Sequence, residues 1–193
     1  MIADPILVSL EVAEALDACR VNYLIGGSLS SSISGEPRST LDIDIVVAMS
    51  ESNIAAFVAA LGGAFYVEPE TLRRAIREKS STNLIHHATS MKIDIFVSGA
   101  SPLDGLQMER RQRVQVASGP DRWLYFYTPE DILLQKLRWY RLGSEVSDRQ
   151  WRDVLGIVRV QTGKLDLEYL RDSAKTLGVA DLLDRALREA PTE

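Results

Sequence analysis

Apolar positions along the chain fall into two textures. Up to about residue 127, helical and alternating stretches take turns, and beyond it only the helical period remains. Residues 5–20 predict an amphipathic helix, with Glu11, Glu14 and Asp17 three apart on a narrow polar face. Residues 21–25 form a short apolar strand that runs straight into Gly26-Gly27-Ser28. A short helix is expected over 28–34, closed by the turn residues Gly35, Glu36 and Pro37. Residues 41–47 alternate and then become wholly apolar, as a central strand does. Ser50 caps a helix that ends at Gly62-Gly63, and 69–79 form a basic helix with Arg73, Arg74, Arg77 and Lys79. Strands over 82–88 and 91–97, joined at Thr89-Ser90, read as a hairpin. Residues 101–111 read as irregular or weakly helical, and 113–117 and 123–127 as short edge strands. Thr128-Pro129-Glu130-Asp131 is a strong helix start, with a capping Thr, Pro at the first helical position and acids in the first turn. Further helices are expected over 148–161, 166–177 and 179–190. The pattern is an α/β core over residues 1–127, followed by a small C-terminal helical extension over 128–193.

Composition sharpens this picture by exclusion. The chain has 193 residues, 46% of them apolar and 25% charged, which are ordinary globular values. Twenty-two Lys and Arg against 27 Asp and Glu leave a formal charge of −5, so a passive nucleic-acid coat is disfavoured while local basic patches remain available. The single cysteine, Cys19, cannot form an internal disulfide and suits a reducing cytosol, so a cytoplasmic location is expected. No apolar run approaches a membrane span, and the N-terminal residues lack the pattern of a secretory signal, so no membrane partner is expected.

The segment that carries chemistry is Gly26-Gly27-Ser28, thirteen intervening residues, then Asp42-Ile43-Asp44. On a strand, Asp42 and Asp44 share one face while Leu41, Ile43 and Ile45 share the other. Two carboxylates side by side in an apolar strand repel, a cost that a divalent cation would offset. Oxygen donors suit Mg²⁺, which takes one or two carboxylates plus substrate phosphates. Lys92-Ile93-Asp94-Ile95 places a third carboxylate, Asp94, alone on one face of another strand. If the two strands are neighbours, Asp42, Asp44 and Asp94 converge, as a two-metal phosphoryl-transfer site requires. Gly26-Gly27 lets backbone amides approach phosphate oxygens, and Ser28 adds a hydroxyl.

The order apolar-Gly-Gly-Ser, a gap, then apolar-Asp-apolar-Asp-apolar resembles the nucleotidyltransferase superfamily of DNA polymerase β type. Arg38-Ser39-Thr40 ahead of the acids and Asn83-Leu84-Ile85-His86 ahead of Lys92-Ile93-Asp94 strengthen the likeness. Lys136-Leu137-Arg138 and Arg149-x-x-Arg152-Asp153 look like the AbiEii-type toxin branch. The resemblance implies an α/β fold with a nucleotidyltransferase-type mixed β-sheet flanked by helices, and transfer of a nucleoside monophosphate from a nucleoside triphosphate to an acceptor hydroxyl on RNA, protein or a small molecule. It assigns Gly26, Gly27, Ser28, Arg38 and Lys136 to the nucleotide, and Asp42, Asp44 and Asp94 to two Mg²⁺ ions, with Mn²⁺ as a substitute. It also implies that Asp94 accepts the hydroxyl proton, and that the chain is the toxin of a toxin–antitoxin pair with an antitoxin protein as partner. Two positions depart from the pattern: Leu41 stands where relatives carry a basic residue, and Gly156 where the toxins carry an acid.

Plainer readings compete at several positions. Gly-Gly alone is a strand-to-helix turn, and Asp-x-Asp alone a solvated edge. His86 and His87 face opposite ways on a strand and cannot chelate one ion, so one packed and one exposed is expected. Lys136 borders an apolar stripe, where a snorkelling surface lysine is the alternative to a phosphate contact, and its removal should scarcely alter stability. Arg149 and Asp153 are four apart and read as a surface ion pair. Arg110, Arg111 and Arg113 read as a solvated basic loop. A small-molecule, aminoglycoside-like nucleotidyltransferase and a non-catalytic nucleotide-binding module remain the alternative functions.

Overall fold

Asp4 accepts the Ile6 amide at 2.9 Å and Pro5 takes the first helical position, so the chain enters a helix at once (α1, Pro5–Ala18). Val8, Val12, Ala15 and Leu16 are buried along it, while Glu11, Glu14 and Asp17 stay exposed as their spacing requires. The helix stops two residues before the expected end because Arg20 turns left-handed, with φ of 55°. The computed structural model describes residues 4–118 and 122–190.

After α1 come β1 (Tyr23–Ile25), α2 (Gly27–Ser34), β2 (Ile43–Val47), α3 (Ile54–Leu61), β3 (Phe65–Tyr66), α4 (Pro69–Glu78), β4 (Ser81–His86) and β5 (Lys92–Val97). They are followed by α5 (Asp104–Arg110), β6 (Gln112–Gln115) and β7 (Trp123–Phe126), then four helices: α6 (Pro129–Leu142), α7 (Asp148–Val160), α8 (Leu167–Leu177) and α9 (Ala180–Glu189). Among the described residues, seven strands form one mixed sheet in the order β3-β4-β5-β2-β1-β7-β6. The β1–β7 and β2–β5 pairs are parallel, and the β1–β2, β3–β4, β4–β5 and β6–β7 pairs antiparallel. Tyr23, Ile25, Ile43, Ile45, Ile93 and Ile95 face a core shared with Val12 and Leu16 of α1, Phe57 of α3 and Leu72 of α4. Each such side chain, fully buried, contributes roughly 1.5–3 kcal/mol, so this face sets the register of the central strands.

The chain divides into two units, one of Met1–Leu29 with Thr40–Phe126, the other of Ser30–Ser39 with Tyr127–Glu193. A split after residue 127 leaves out the excursion over Ser30–Ser39, which clusters with the helices. Specific bonds account for it. Arg38 binds Asp153 of α7, the Glu36 carboxylate accepts from Arg159 at 2.8 Å, and Gln161 donates to the Ser34 carbonyl at 2.7 Å. A side chain at Gly35 would meet the Ile157 amide nitrogen at 2.8 Å, so glycine there lets the excursion lie directly on α7.

In the helical unit the start of α6 is tied down twice. Thr128 accepts the Asp131 amide and donates its hydroxyl to the Asp131 carboxylate at 2.9 Å, while Tyr169 of α8 donates to the same carboxylate at 2.5 Å. Glu130 accepts the Asp166 amide at 3.1 Å. The first-turn acids of α6 are therefore buried anchors for α8 as well as capping charges.

Several local expectations need correction. Strand β2 begins at Ile43, because the Asp42 amide bonds Thr40 Oγ1 at 3.2 Å and leaves the ladder; Leu41 is 66% exposed, so it does not share the core face of Ile43 and Ile45. Residues 104–110 are helical, since Asp104 accepts the Gly99 and Ser101 amides at 2.8 and 3.0 Å and sets the first turn. Strand β7 lies inside the sheet between β1 and β6, with Ile25 opposite Phe126. Among the described residues, no helix is long and apolar enough to cross a membrane.

Candidate functional site

Alternation in β2 and β5 separates greasy from charged positions. Ile43, Ile45, Ile93 and Ile95 are fully buried on one face, and Asp44 and Asp94 stand half-buried on the other. The strands are parallel neighbours with Asp44 directly opposite Asp94. The adjacency expected for these two acids is therefore observed, register partner to register partner.

Lys92 lies on this group, its ammonium 2.8 Å from Asp94 Oδ2. The hydrogen bond and charge of Asp94, with further attraction from Asp42 and Asp44, raise the Lys92 pKa above its ordinary value. All three acids thus act on one cation. They do not form a closed ligand cage: Asp42 is exposed ahead of the strand, and among the described residues no group of three or more His, Cys, Asp or Glu side chains is arranged to hold a metal ion. Of the three acids expected to converge, Asp44 and Asp94 are register partners, and Asp42, outside the ladder, acts on the same cation, Lys92. The donor chemistry fits Mg²⁺, because two adjacent carboxylates supply hard oxygen ligands and leave positions for substrate phosphates.

Gly26 and Gly27 serve different purposes. The Gly26 amide donates to the Asp44 carbonyl at 2.8 Å, prolonging the β1–β2 ladder, so this amide is committed to the sheet and does not face a phosphate. Gly27 opens α2 with φ of 53°, and a Cβ built there would come within 1.7 Å of Asp44 Oδ2. The backbone at Gly27 and the Asp44 carboxylate can be this close only without a side chain. Ser28, 8% exposed, follows in the first turn of α2, where the leading amides of a helix have no intrahelical acceptor and its dipole favours anions. Gly27→Ala is expected to destabilise the fold by about 1–3 kcal/mol, from the left-handed backbone and the displaced carboxylate. Urea unfolding checks this, and wild-type stability in the variant would mean the site relaxes freely.

The remaining expected nucleotide residues, Arg38 and Lys136, lie in the helical unit and meet on Asp153. Arg38 grips the carboxylate with both Nε, at 2.9 Å, and Nη2, at 3.1 Å, and Lys136 Nζ donates to Oδ2 at 2.7 Å. Ser31 donates to the same oxygen at 3.4 Å. Burial pushes the Asp153 carboxyl up, but the hydrogen bonds from Arg38 and Lys136, with their charges, hold it below the ordinary carboxylate value. This corrects two plain readings: Lys136 is no snorkelling surface lysine, at 8% exposure, and Asp153 is buried rather than half of a surface pair. The carbons of Glu36 lie against Gly156, within 3.4 Å of where a side chain there would start, so the small residue makes room for the excursion.

His86 is 7% exposed, bonds Thr89 through Nδ1 at 2.8 Å and stacks on Phe65, while His87 is exposed, as alternation requires. The expected basic loop is instead the junction of two elements: Arg110 ends α5 and Arg113 lies in β6, with Arg111 over the Tyr125 ring and Arg113 over the Trp123 ring. Residues missed by sequence reasoning are Lys92 as counter-ion of the acids and Asp153 as the joint partner of Arg38 and Lys136. Lys92, two before Asp94, was legible as a same-face neighbour; the Asp153 pairing, spanning 115 residues from Arg38, carried no local signal.

No family model matches the sequence, and no curated protein is similar to it. Solved structures are similar in fold. The antibiotic-resistance factor ANT(2'')-Ia superposes with a TM-score of 0.55 at 14% identity, over 97% of each chain. An antigenic nucleotidyltransferase-like protein from Paracoccidioides brasiliensis gives a TM-score of 0.52 at 18% identity, over 98% of this chain and 94% of that one. The fold these structures share with the chain is a mixed sheet, seven-stranded among the described residues, flanked by helices with further helices toward the C-terminal end.

Proposed function

We propose that, on this nucleotidyltransferase-type fold, the chain transfers a nucleoside monophosphate from a nucleoside triphosphate to an acceptor hydroxyl. The observation that carries the reading is the stacking of Gly27, Asp44 and Asp94: a backbone turn with no side chain, pressed on one of two register-paired carboxylates. A structural role alone gives no reason to keep two acids abreast in a sheet whose other face is isoleucine.

In this reading, the first turn of α2 receives the phosphates, through the Gly27 and Ser28 amides and the Ser28 hydroxyl. Asp42, Asp44 and Asp94 are the residues that would hold Mg²⁺, or Mn²⁺ in its place, which when bound neutralises developing charge on the phosphoryl oxygens. Asp94 accepts the proton of the acceptor hydroxyl, whose oxygen bonds to the α-phosphorus as the bond to the β-phosphate oxygen breaks and pyrophosphate leaves. Lys92 holds Asp94 until the substrates arrive. Lys92→Met is therefore expected to lower the Mg²⁺ concentration for half-maximal transfer by about two- to fivefold, the worth of an exposed ion pair. A Mg²⁺ titration of transfer reads this directly, and an increased requirement would overturn the assignment of Lys92.

The test of the function is incubation with each labelled nucleoside triphosphate, Mg²⁺ and cell extract, followed by identification of the labelled species. Label in RNA or in a protein supports the toxin reading, with an antitoxin as the expected partner in the cytosol, where free Cys19 is at home. A second reading, a small-molecule acceptor, is favoured by the antibiotic-resistance factor among the similar folds. Label appearing on an added aminoglycoside would select it. Absence of transfer with every nucleotide would leave a non-catalytic module.

A further inference from the structure

Polar positions on the open face of the sheet fall in one line. Gly27 sits against the Asp44 carboxylate, Asp44 pairs in register with Asp94 of β5, and Asp94 pairs in register with Asn83 of β4. Asn83 therefore stands roughly 10 Å from Asp44, two strand spacings, with Asp94 between them. Register partners share a face, so the exposed Asn83 side chain lies beside the Asp94 carboxylate, while Leu84 and His86 are buried on the other side. Ile85, two residues on from Asn83, is half-buried on the same face, and its partner Tyr66 of β3 leaves its side chain 56% exposed there. The sheet itself does not ask for this asparagine. Asparagine is depleted in strands, yet Asn83 occupies the interior of the six-residue β4, where Thr or Val would serve the ladder better.

The direction of the reaction gives the line a meaning. In displacement at phosphorus, the attacking and leaving oxygens lie in line. With the phosphates on the first turn of α2, pyrophosphate leaves at the Gly27 end and the acceptor hydroxyl enters at the Asp94 end. The next polar side chain beyond Asp94 is Asn83. A carboxamide both donates and accepts, so it binds a hydroxyl in either sense. Oxygens on neighbouring carbons are about a hydrogen-bond length apart, a pair that two side chains abreast on a sheet can hold together. We infer that Asn83 positions the acceptor by binding a second hydroxyl on the carbon next to the reacting one, with Ile85 and the Tyr66 ring against the ring that carries both. The inference rests on the transferase reading and adds to it the class of acceptor, a cyclic vicinal diol.

The test combines the full chain, Mg²⁺ and each labelled nucleoside triphosphate with two probe acceptors, cis-1,2-cyclohexanediol and cyclohexanol, which differ by one hydroxyl. Transfer places a probe oxygen on the α-phosphorus in place of pyrophosphate. The wild type is expected to use the diol with kcat/KM about five- to tenfold above the alcohol, the worth of one neutral hydrogen bond. Asn83→Val, a strand former, is expected to fold and to erase that preference with the nucleotide KM unchanged. Asn83→Thr, which keeps a hydroxyl, is expected to retain part of it. Tyr66→Ala is expected to raise the KM of both probes alike, since the ring does not tell them apart. Equal use of the two probes by the wild type would overturn the proposal, as would a preference unchanged in Asn83→Val. A raised nucleotide KM in Asn83→Val would overturn it too, by placing Asn83 on the nucleotide. CpA and methyl α-D-glucopyranoside carry the vicinal pair as the end of an RNA and as a free sugar. Label on either supports the diol and names its source, and label on neither, in a protein that labels another acceptor, would overturn it. Binding is read apart from turnover by the NMR signals of the Asn83 carboxamide, identified by their loss in Asn83→Val. They are expected to shift more with the diol than with the alcohol. Signals unmoved by both probes would overturn the inference even where transfer occurs, and shifted signals in a protein that transfers to no acceptor would count against the transferase reading alone.

Discussion

Asp44→Asn is expected to lower nucleotidyl transfer by about three orders of magnitude or more while the protein still folds. Asparagine keeps the shape of the side chain and its place against Gly27, so the sheet and its core face are undisturbed. It removes one of the two register-paired charges, and with it the oxygen ligand that the proposed Mg²⁺ requires; several kcal/mol of transition-state stabilisation correspond to that loss in rate. Repulsion between Asp44 and Asp94 is relieved, so urea unfolding should show stability equal to the wild type or slightly greater. Measuring transfer and unfolding on the one variant separates chemistry from folding. Near-normal transfer would remove Asp44 from the reaction, whatever its place in the sheet.

Asp153→Ala is expected to cost about 3–5 kcal/mol of stability, because Lys136 and Arg38 would be left facing each other without their shared carboxylate. Against a total of about 5–15 kcal/mol, that brings the domain close to unfolding. The sign of the pH dependence follows from the lowered Asp153 pKa. The carboxylate is better held in the folded chain than in the unfolded one, so its contribution is complete above the ordinary value of 3.8 and is lost as pH falls through the lowered folded value. The stability gap between wild type and Asp153→Ala, read by urea unfolding, should therefore be constant from about pH 8 to about pH 5 and narrow only below the ordinary carboxylate range. Lys136→Ala, expected from sequence alone to be harmless, should also destabilise the protein, since Lys136 is buried. A gap that closed at neutral pH would assign Asp153 another role.

Legibility of this chain follows the range of each interaction. Helix α1 and its polar face, the β4–β5 hairpin and the Thr128 start of α6 were readable because caps, turns and periodicity act within a few residues. The pairing of Asp44 with Asp94 was readable as a conditional: two strands carry lone acids on an apolar ground, and adjacency makes them meet. The helix at Asp104 was legible only as an irregular or weakly helical stretch, because what fixes its start is the Asp104 carboxylate tying back to the Gly99 and Ser101 amides. Strand β3, two residues long, is too short for any alternation to register. The start of β2 failed for a different reason: Asp42 fits the alternation of the strand, but its amide is taken by the Thr40 hydroxyl, and a side-chain bond overrides the pattern. Lys136 was visible as a charge beside an apolar stripe and Asp153 as a partner of Arg149, yet burial and a third partner from far upstream decide their state.

The excursion over Ser30–Ser39 has a consequence for synthesis on the ribosome. Arg38 leaves the peptidyl-transferase centre 115 residues ahead of Asp153, an interval of roughly 6–23 s at about 5–20 residues per second. For that time Glu36, Gly35 and Arg38 have been translated while Arg159, Ile157 and Asp153 have not. Sheet and α1 can condense meanwhile, since their partners are all upstream of residue 127. Through that interval Arg38 and Glu36 lack the partners that α7 supplies. The excursion can close onto α7 only once Asp153, Ile157 and Arg159 have been made, a long-range contact of the kind that slows folding.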